Sequence, residues 1–564
     1  MDRQATLKWL GQNPDISVLI IGAGINGIGT FRDLALNGVD TLIVDRGDFC
    51  SGASAGSSHM LHGGIRYLEN GEFRLVKEAL HERNLLLKNA PHYARPLATT
   101  IPIFKWFSGL WNAPFKFLNL LDKPSERGAI VIKIGLMLYD AFVRGESPMP
   151  GHYFRMRRES IREFPPLNPE ILCTAHYYDA ALIEMERFCV ELTGDALAEG
   201  EHALALNYVS AVGARGDTVT LRDEVSGKPF EVRPTVVVNA AGPWIDFANR
   251  AMGVETGFIG GTKGSHVVVN HPALREAIGE HEMFFENIDG RIVLINPFKD
   301  RVLIGTTDIY IDNPDDAVCQ PDEEAYILSL IGKVFPAIKI SPDQVVFRFS
   351  GVRPLPKADA KRAGQVSRDH SIQVIEAGNA TDFPVLSLVG GKWTTYRAFA
   401  EQTTDAVLKR LGRDRQRNTR QVAVGGGKDY PAGDTEQSRW VSEVSRESGL
   451  PVERVRTLFT RYGTRAKEVA AWCAAGVGKD KALKSRPDFS EREISFLAKN
   501  EQVVHLDDIV MRRMLIGIMG EVTLPLLKEL AAVAGKSLGW PKRKMDQEIS
   551  RVVEILKAKH GMKL

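Results

Sequence analysis

A strand–glycine–helix–strand stretch near the start, apolar runs alternating with helical patterns to about residue 400, and a wholly helical tail predict the fold class. It is α/β: a Rossmann-type domain, an antiparallel-sheet domain inserted into it, and a C-terminal helical domain. The chain has 564 residues, too many for a single hydrophobic core, so more than one domain is expected.

The first observation is "VLIIGAGINGIGTFRDLALNGVDTLIVD", residues 18–45. A β-branched apolar run leads into Gly22, Gly24 and Gly27, a helical stretch follows, and a second apolar run ends at Asp45. The first glycine permits a tight turn, the second admits a pyrophosphate to the backbone, and the third lets helix pack on strand. Ile25 and Asn26 open that helix, whose N-terminus offers N–H groups and a positive dipole end to phosphates. Asp45, eighteen residues after Gly27, is placed to accept ribose hydroxyls.

The second observation is the series "TVVVNAAG", "HVVVN", "RIVLINP", "RVLIGTTD" and "VLSLVGG", continuous apolar runs that read as buried parallel strands. The third is the change of character after "VAVGGGKDYPAGD", a Gly/Pro/Asp-rich linker. Segments such as "MRRMLIGIMGEVTLPLLKELAAVAG" beyond it are helical, giving expected domains at 1–425 and 435–564.

Composition excludes several classes. A net charge of +2 without a dense basic block argues against nucleic acid as a partner. Five scattered cysteines, never in a C-x-x-C pattern, suit a reducing cytosol and argue against a disulfide framework or cysteine zinc site. His59 and His62 stand three apart, but no further Cys/His cluster accompanies them, so no metal is expected. The N-terminal "MDRQATLKWLGQNPD" is too short and polar for a secretory signal. Lys133 and Asp140 interrupt "GAIVIKIGLMLYDAFV", which falls short of the ~20 residues of a spanning helix.

Further glycine turns extend the first motif. "SGASAGSSHMLHGGIRY" brings small hydroxyl residues and paired glycines, here Ser54, Ser57, Ser58, Gly63 and Gly64, directly after the second strand. "NAAGPW" with Gly242 offers a second pass of chain over the same pyrophosphate. "VGGKWTTY" with Gly391, Lys392 and Thr394 opens another helix, whose N-terminus suits negative charge developing on a reduced cofactor.

By these residues the chain resembles the FAD-dependent glycerol-3-phosphate dehydrogenases of the glycine-oxidase-like flavoprotein superfamily. "IGAGINGIGTFRDLALNG", "SSHMLHGGIRYLENGEFRLVKEAL", "NAAGPW", "TKGSHVVV", "IGTTD", "SGVRPL", "SRDH" and "VGGKWTTYR" carry the likeness in that order, over roughly residues 15–400. The resemblance implies FAD as cofactor, a Rossmann-type FAD-binding subdomain with a substrate subdomain inserted, and oxidation of sn-glycerol 3-phosphate to dihydroxyacetone phosphate. It also implies quinone as acceptor, or oxygen in the oxidase branch, and a peripheral place on the inner, cytoplasmic face of a membrane, with a homodimer possible. Two positions depart from the family pattern: His59 stands where a lysine is usual, and "EMER" (184–187) replaces D-D-A-R. Both are expected near flavin or substrate and leave the identity of the polyol phosphate open. Glu184 and Arg187 also suit an ion pair on a solvated helix.

The chemistry requires a base for the hydroxyl proton and cations for the phosphate. His62 and, second, His266 are the candidate bases, because imidazole titrates near neutrality. Arg66, Arg353, Arg368 and Lys392 are the candidate phosphate ligands, set in apolar, Gly-flanked stretches where an unpaired charge is costly. Arg66 and Arg353 are also placed at the reacting centre, Tyr67 beside the substrate, and His59, Gly351 and Lys392 beside the cofactor. Finally, "IFKWFSGLWNAPFKFLNLLDK" (103–123) combines Trp, Phe and Lys as a membrane interface does, and equally suits a buried or dimer-forming hairpin.

Overall fold

The computed structural model describes residues 3–564 apart from 108–127, 144, 146–147, 288–289, 358–368, 379 and 477, and the side chains of 69 and 70. Most of the 103–123 segment and Arg368 therefore lie outside the described residues.

The N-terminal apolar run forms the strand Asp15–Ile21, at the middle of a sheet. In spatial order the strands are Ser371–Ile375, Val385–Val389, Pro229–Asn239, Asp15–Ile21, Thr41–Val44 and Ala203–Leu206. The last five are parallel, and Ser371–Ile375 closes one edge antiparallel. Helices Ile25–Leu36, Met185–Ala198 and Tyr396–Arg410 bury their apolar sides on one face. The helix Arg3–Gln12, the helix Ile245–Ala251 and the hairpin Val209–Arg215/Thr218–Asp223 cover the other.

A second, ten-stranded sheet is built mainly from Ala94–Ile103, Cys173–Leu182, Thr262–Val269, His281–Glu286, Ile292–Phe298, Arg301–Gly305 and Val345–Arg353. Here the parallel reading of the apolar runs needs correction. "HVVVN", "RIVLINP" and "RVLIG" pair antiparallel, in the register Val267↔Ile304 and Ile295↔Ile304. The physical reason is that both faces of this sheet are covered, so alternation disappears whatever the strand direction. On one face Val267, Val269, Ile295 and Ile304 meet the helices Pro272–Ile278 and Pro321–Ser329. On the other, Val268, Phe298, Leu303, Phe347 and Phe349 meet the C-terminal helices.

From Gly433 onward the chain is helical, and its cluster includes Leu458, Phe496, Leu526, Leu530 and Leu556. This helical body is tied to the parallel-sheet body by buried charges. Asp48 accepts hydrogen bonds from Arg512, Arg513 and Asn207, and Tyr208 donates to Asp508 at 2.6 Å. Arg187, 1% exposed, donates to Glu501 and faces Glu191, while Glu184 pairs with Lys299 at 2.7 Å. The solvated i, i+3 pair expected for "EMER" is thus replaced by two separate long-range pairs, because this helix turn is buried where three parts of the molecule meet. No helix among the described residues is long and apolar enough to cross a membrane.

Candidate active site

The site begins where the strand Asp15–Ile21 ends. Gly22 has φ +104°, and a Cβ there would stand 2.6 Å from the Ala240 carbonyl oxygen. The "NAAG" turn therefore lies directly on the first glycine turn. A Cβ on Gly27 would stand 2.0 Å from the Gly22 carbonyl oxygen, so only glycine lets the helix start this close. No side chain caps that helix at Gly24. Its first N–H, at Ile25, donates to Ser54 Oγ at 2.9 Å.

Asp45 closes the second strand, and its carboxylate accepts the N–H groups of Ala23 at 2.7 Å and Gly47 at 2.8 Å. Burial pushes this carboxyl up to about 6, against those two hydrogen bonds. From the opposite side comes the turn at Gly391, φ +98°, where a Cβ would stand 3.0 Å from Asn26 Nδ2. Asn26 Oδ1 is buried here with no protein partner. Trp393 Nε1 donates to the Ser54 carbonyl at 2.9 Å, drawing the late glycine turn over the serine segment. A short 3-10 turn, Trp393–Thr395, separates Gly391 from the helix Tyr396–Arg410. Gly242, φ +58°, opens a similar turn, Gly242–Trp244. The result is a glycine-walled crevice at the carboxyl ends of parallel strands, with a buried acceptor left over, which fits an extended dinucleotide.

The two sheets meet beside this crevice. Gly56 and Gly351 touch so closely that a Cβ on Gly351 would be 2.0 Å from the Gly56 carbonyl oxygen. Gly390 N–H donates to the Pro354 carbonyl at 3.1 Å, which brings the end of the strand carrying Arg353 to the "GGK" turn. Arg353 Nη1 pairs with Asp308 at 2.9 Å, and Nη2 donates to Thr306 Oγ1 at 3.2 Å, which fixes the plane of the guanidinium. Lys392 Nζ lies 4.7 Å from the centre of the Tyr67 ring, and a Cβ on Gly64 would be 3.1 Å from that ammonium. Thr394 Oγ1 donates to the His62 carbonyl at 3.1 Å. His62 and Tyr67 rings are 6.1 Å apart, and the partly buried Arg66 lies between them in sequence on the turn Ile65–Asn70. His62, Gly63, Gly64, Tyr67, Lys392 and Thr394 are thus one cluster.

Two expectations change. His266 Nε2 meets Ser58 Oγ at 2.9 Å, and the ring stacks on Phe349. Burial, with help from the Arg353 charge, brings its pKa down to about 3. The expected titration near neutrality is therefore not kept for His266, which stays beside Ser58 as a candidate base together with His62. His59 does not offer a charge to a ligand either. Its Nδ1 meets the Ile183 carbonyl at 2.7 Å, its ring stands edge-on to Phe298 and Phe349, and burial lowers it to about 4. Those phenylalanines belong to the core shared with the C-terminal helices, so this position reports packing and not a pH-dependent cation. Ser57 Oγ donates to Met185 Sδ at 2.8 Å.

Sequence reading missed Asp308, which orients Arg353, although it ends the "IGTTD" run where an acid among apolar residues is a signal. It also missed Glu323, which holds Lys263 at 2.6 Å, Ser265 at 2.8 Å and Thr307 at 2.7 Å under the same strand end. Among the described residues no group of three or more His, Cys, Asp or Glu could hold a metal ion.

Comparison with known proteins agrees with this geometry. The family described as FAD dependent oxidoreductase matches residues 17–397, and the C-terminal domain of alpha-glycerophosphate oxidase matches residues 417–545. A glycerol-3-phosphate dehydrogenase of Synechocystis sp. is 32% identical over 97% of this chain and 97% of its own. Glycerol-3-phosphate dehydrogenase 2 of Mycobacterium bovis is 30% identical over 99% of this chain and 90% of its own. Among solved structures, the glycerol-3-phosphate dehydrogenase from Bacillus halodurans complexed with FAD superimposes with a TM-score of 0.75 at 23% identity, covering 99% of this chain and 98% of the other. The chain belongs to the FAD-dependent glycerol-3-phosphate dehydrogenase family as an FAD-dependent oxidoreductase, and FAD is its cofactor.

Proposed function

We propose that this protein oxidises sn-glycerol 3-phosphate to dihydroxyacetone phosphate and hands the electrons to a membrane quinone. The observation that carries the reading is the meeting of the Arg353 strand end with the "GGK" turn, beside the His62–Tyr67 segment. FAD, when bound, supplies the hydride acceptor. The chain's own residues do the rest. Arg353, held by Asp308, and Lys392 bind and orient the phosphate, with Arg66 and Arg368 as further cations. His62 takes the hydroxyl proton at an imidazole nitrogen. Asp45, Asn26 and Ser54 hold the cofactor along the glycine turns, together with Gly22, Gly24, Gly27, Gly242 and Gly391.

The quinone reading draws support from an exposed apolar surface. Trp106 is 40% and Phe107 65% exposed, and Ala129 N–H donates to the Lys105 carbonyl at 3.0 Å, setting this segment against the start of the helix Ala129–Phe142. That helix exposes Ile134, Met137 and Leu138 on one side. Such a face suits the headgroup layer of a membrane on the cytoplasmic side, where a peripheral enzyme meets quinone.

Anaerobic addition of polyol phosphates to the yellow holoprotein tests the substrate, and re-oxidation tests the acceptor. Bleaching by sn-glycerol 3-phosphate ahead of a tetritol phosphate, and faster recovery with quinone than with oxygen, is the expected outcome. Bleaching by the tetritol phosphate alone would reassign the substrate, and recovery by oxygen alone would reassign the acceptor. In liposomes containing quinone, Trp106→Ser with Phe107→Ser should reduce co-sedimentation and quinone reduction while sparing turnover with a soluble dye. Unchanged sedimentation assigns the segment to packing.

A further inference from the structure

The His62-Gly63-Gly64 turn is held from below by residues that neither the sequence motifs nor the family assignment single out. Gly63 N–H lies 3.0 Å from Asp179 Oδ1 and 3.0 Å from the Tyr139 hydroxyl. Tyr139 donates to the same carboxylate oxygen at 2.5 Å, and Arg83 Nη1 donates to it at 2.9 Å. Asp179 and Arg83 are each 1% exposed, Tyr139 is 2% exposed, and burial with the neighbouring carboxylate keeps the tyrosine hydroxyl well above its ordinary range, a permanent donor. Room is equally tight: a Cβ on Gly63 would stand 2.3 Å from the Tyr139 hydroxyl and 2.4 Å from Leu80 Cδ2. From above, Thr394 fixes the His62 carbonyl at 3.1 Å. The same peptide is therefore clamped at both ends, one side by the cofactor turn and the other by a buried carboxylate.

We propose that Asp179 and Tyr139 are positioning residues that set the height and tilt of the His62-Gly63-Gly64 turn against the flavin. The proposal rests on the reading that this turn borders the flavin. Asp179 stands in the strand Cys173–Leu182, whose Ala180 and Ala181 pair with Leu61 and Met60, so one strand fixes the approach to the turn and the turn itself. A single carboxylate oxygen receives three donors, and the arrangement has one solution, which is what a near-attack geometry requires. The arginine balances the carboxylate, so the buried charge is not left alone.

Tyr139→Phe removes one hydroxyl and leaves the Asp179–Arg83 pair in place, whereas Asp179→Asn removes the charge at nearly constant shape. Both are measured as holoproteins, by visible circular dichroism of the bound FAD and by anaerobic stopped-flow reduction with sn-glycerol 3-phosphate. The expected result is an altered flavin dichroism and a reduction rate at saturating substrate lowered about tenfold to a hundredfold, with half-saturation nearly unchanged. A purely structural role predicts less folded holoprotein with the wild-type dichroism and rate per bound FAD, and that result overturns the proposal. If Asp179→Asn does not fold, Tyr139→Phe alone decides by the same two readings. A wild type that no polyol phosphate reduces would defeat the assigned reaction, while the dichroism of the variants would still decide the clamp.

Discussion

The cofactor crevice and the junction with the C-terminal helices are both buried and polar, yet they are built in opposite ways. In the crevice, glycines bring backbone against backbone, and Asn26 Oδ1 is buried without a protein partner. At the junction, full charges meet full charges: Asp48 with Arg512 and Arg513, Arg187 with Glu501 and Glu191, Arg465 with Glu191. Buried acceptors are left over in both, Glu186 Oε2, Asn207 Oδ1 and Gln502 Oε1 among them at the junction, so what separates the two is glycine-made closeness in the crevice against charge paired with charge at the junction. The difference teaches where to look for chemistry. It also explains why the helical domain behaves as part of the fold: Arg512 and Arg513 pair with Asp48, and Glu501 with Arg187, across the junction.

The sharpest way to break this comparison is a change that adds one carbon to the crevice. Gly27→Ala places a Cβ 2.0 Å from the Gly22 carbonyl oxygen, where no flexible side chain can yield. The purified variant is expected to be nearly colourless, with its C-terminal helices still folded by circular dichroism. Full flavin absorbance in this variant would show that the turn is not the cofactor contact.

The next effect in size belongs to the junction. Arg187→Met leaves Glu501 buried with only the more distant Arg465, at 3.8 Å, to compensate it, and breaking such a buried pair costs up to roughly 3–5 kcal/mol. Replacing both partners, Arg187→Met with Glu501→Leu, should recover much of that loss in urea titrations. If the double variant is no more stable than the single one, the pair is not the relevant interaction.

A smaller effect separates two carboxyls on one helix. Burial raises Glu186 to about 8. Burial also acts to raise Glu191, but the hydrogen bond and charge of His92 and the charges of Arg465 and Arg187 outweigh it and bring it down to about 2. The signs are opposite. A raised folded pKa means that ionisation is resisted, so Glu186 subtracts stability as pH rises from about 4.5 through about 8. A depressed one means that Glu191 contributes stability in full above about 4.5, lost as pH falls toward about 2. Glu186→Gln should therefore stabilise the protein at pH 8 relative to pH 5, and Glu191→Gln should flatten its acid lability. Urea midpoints that keep the wild-type pH profile in both variants would refute the assignment.

The least effect on stability is expected at the surface, where Trp106→Ser and Phe107→Ser should change unfolding by no more than about 0.5 kcal/mol. A larger loss would mean that these side chains pack against the body of the protein.

How much of this was legible beforehand follows from the range of each interaction. The first glycine turn and Asp45 could be read directly, because strand, turn, helix and acid lie within 28 consecutive residues, 18–45. The directions of "HVVVN" and "RIVLINP" could not, because a sheet covered on both faces loses alternation in either orientation. Arg187 was misplaced because its partner Glu501 is 314 residues away, and no local pattern announces such a pair. His59 was read by the charge its family counterpart carries, yet its surroundings are phenylalanine rings that only the folded C-terminal domain brings into place. Arg353 was picked out by its apolar, Gly-flanked stretch, while Asp308 needed the neighbouring strand to show its purpose.

The central claim is that the chemistry happens where the Arg353 strand end meets the FAD crevice. Anaerobic stopped-flow reduction by sn-glycerol 3-phosphate, comparing wild type with Arg353→Ala at equal FAD content, tests it most directly. The wild type should bleach in a single phase. Arg353→Ala should stay as yellow before mixing, yet lose roughly 2–5 kcal/mol in the efficiency of reduction, as expected when a charged partner is removed from a desolvated site. Equal efficiency in the two proteins, or a wild type that the phosphorylated polyol leaves yellow, would contradict the account.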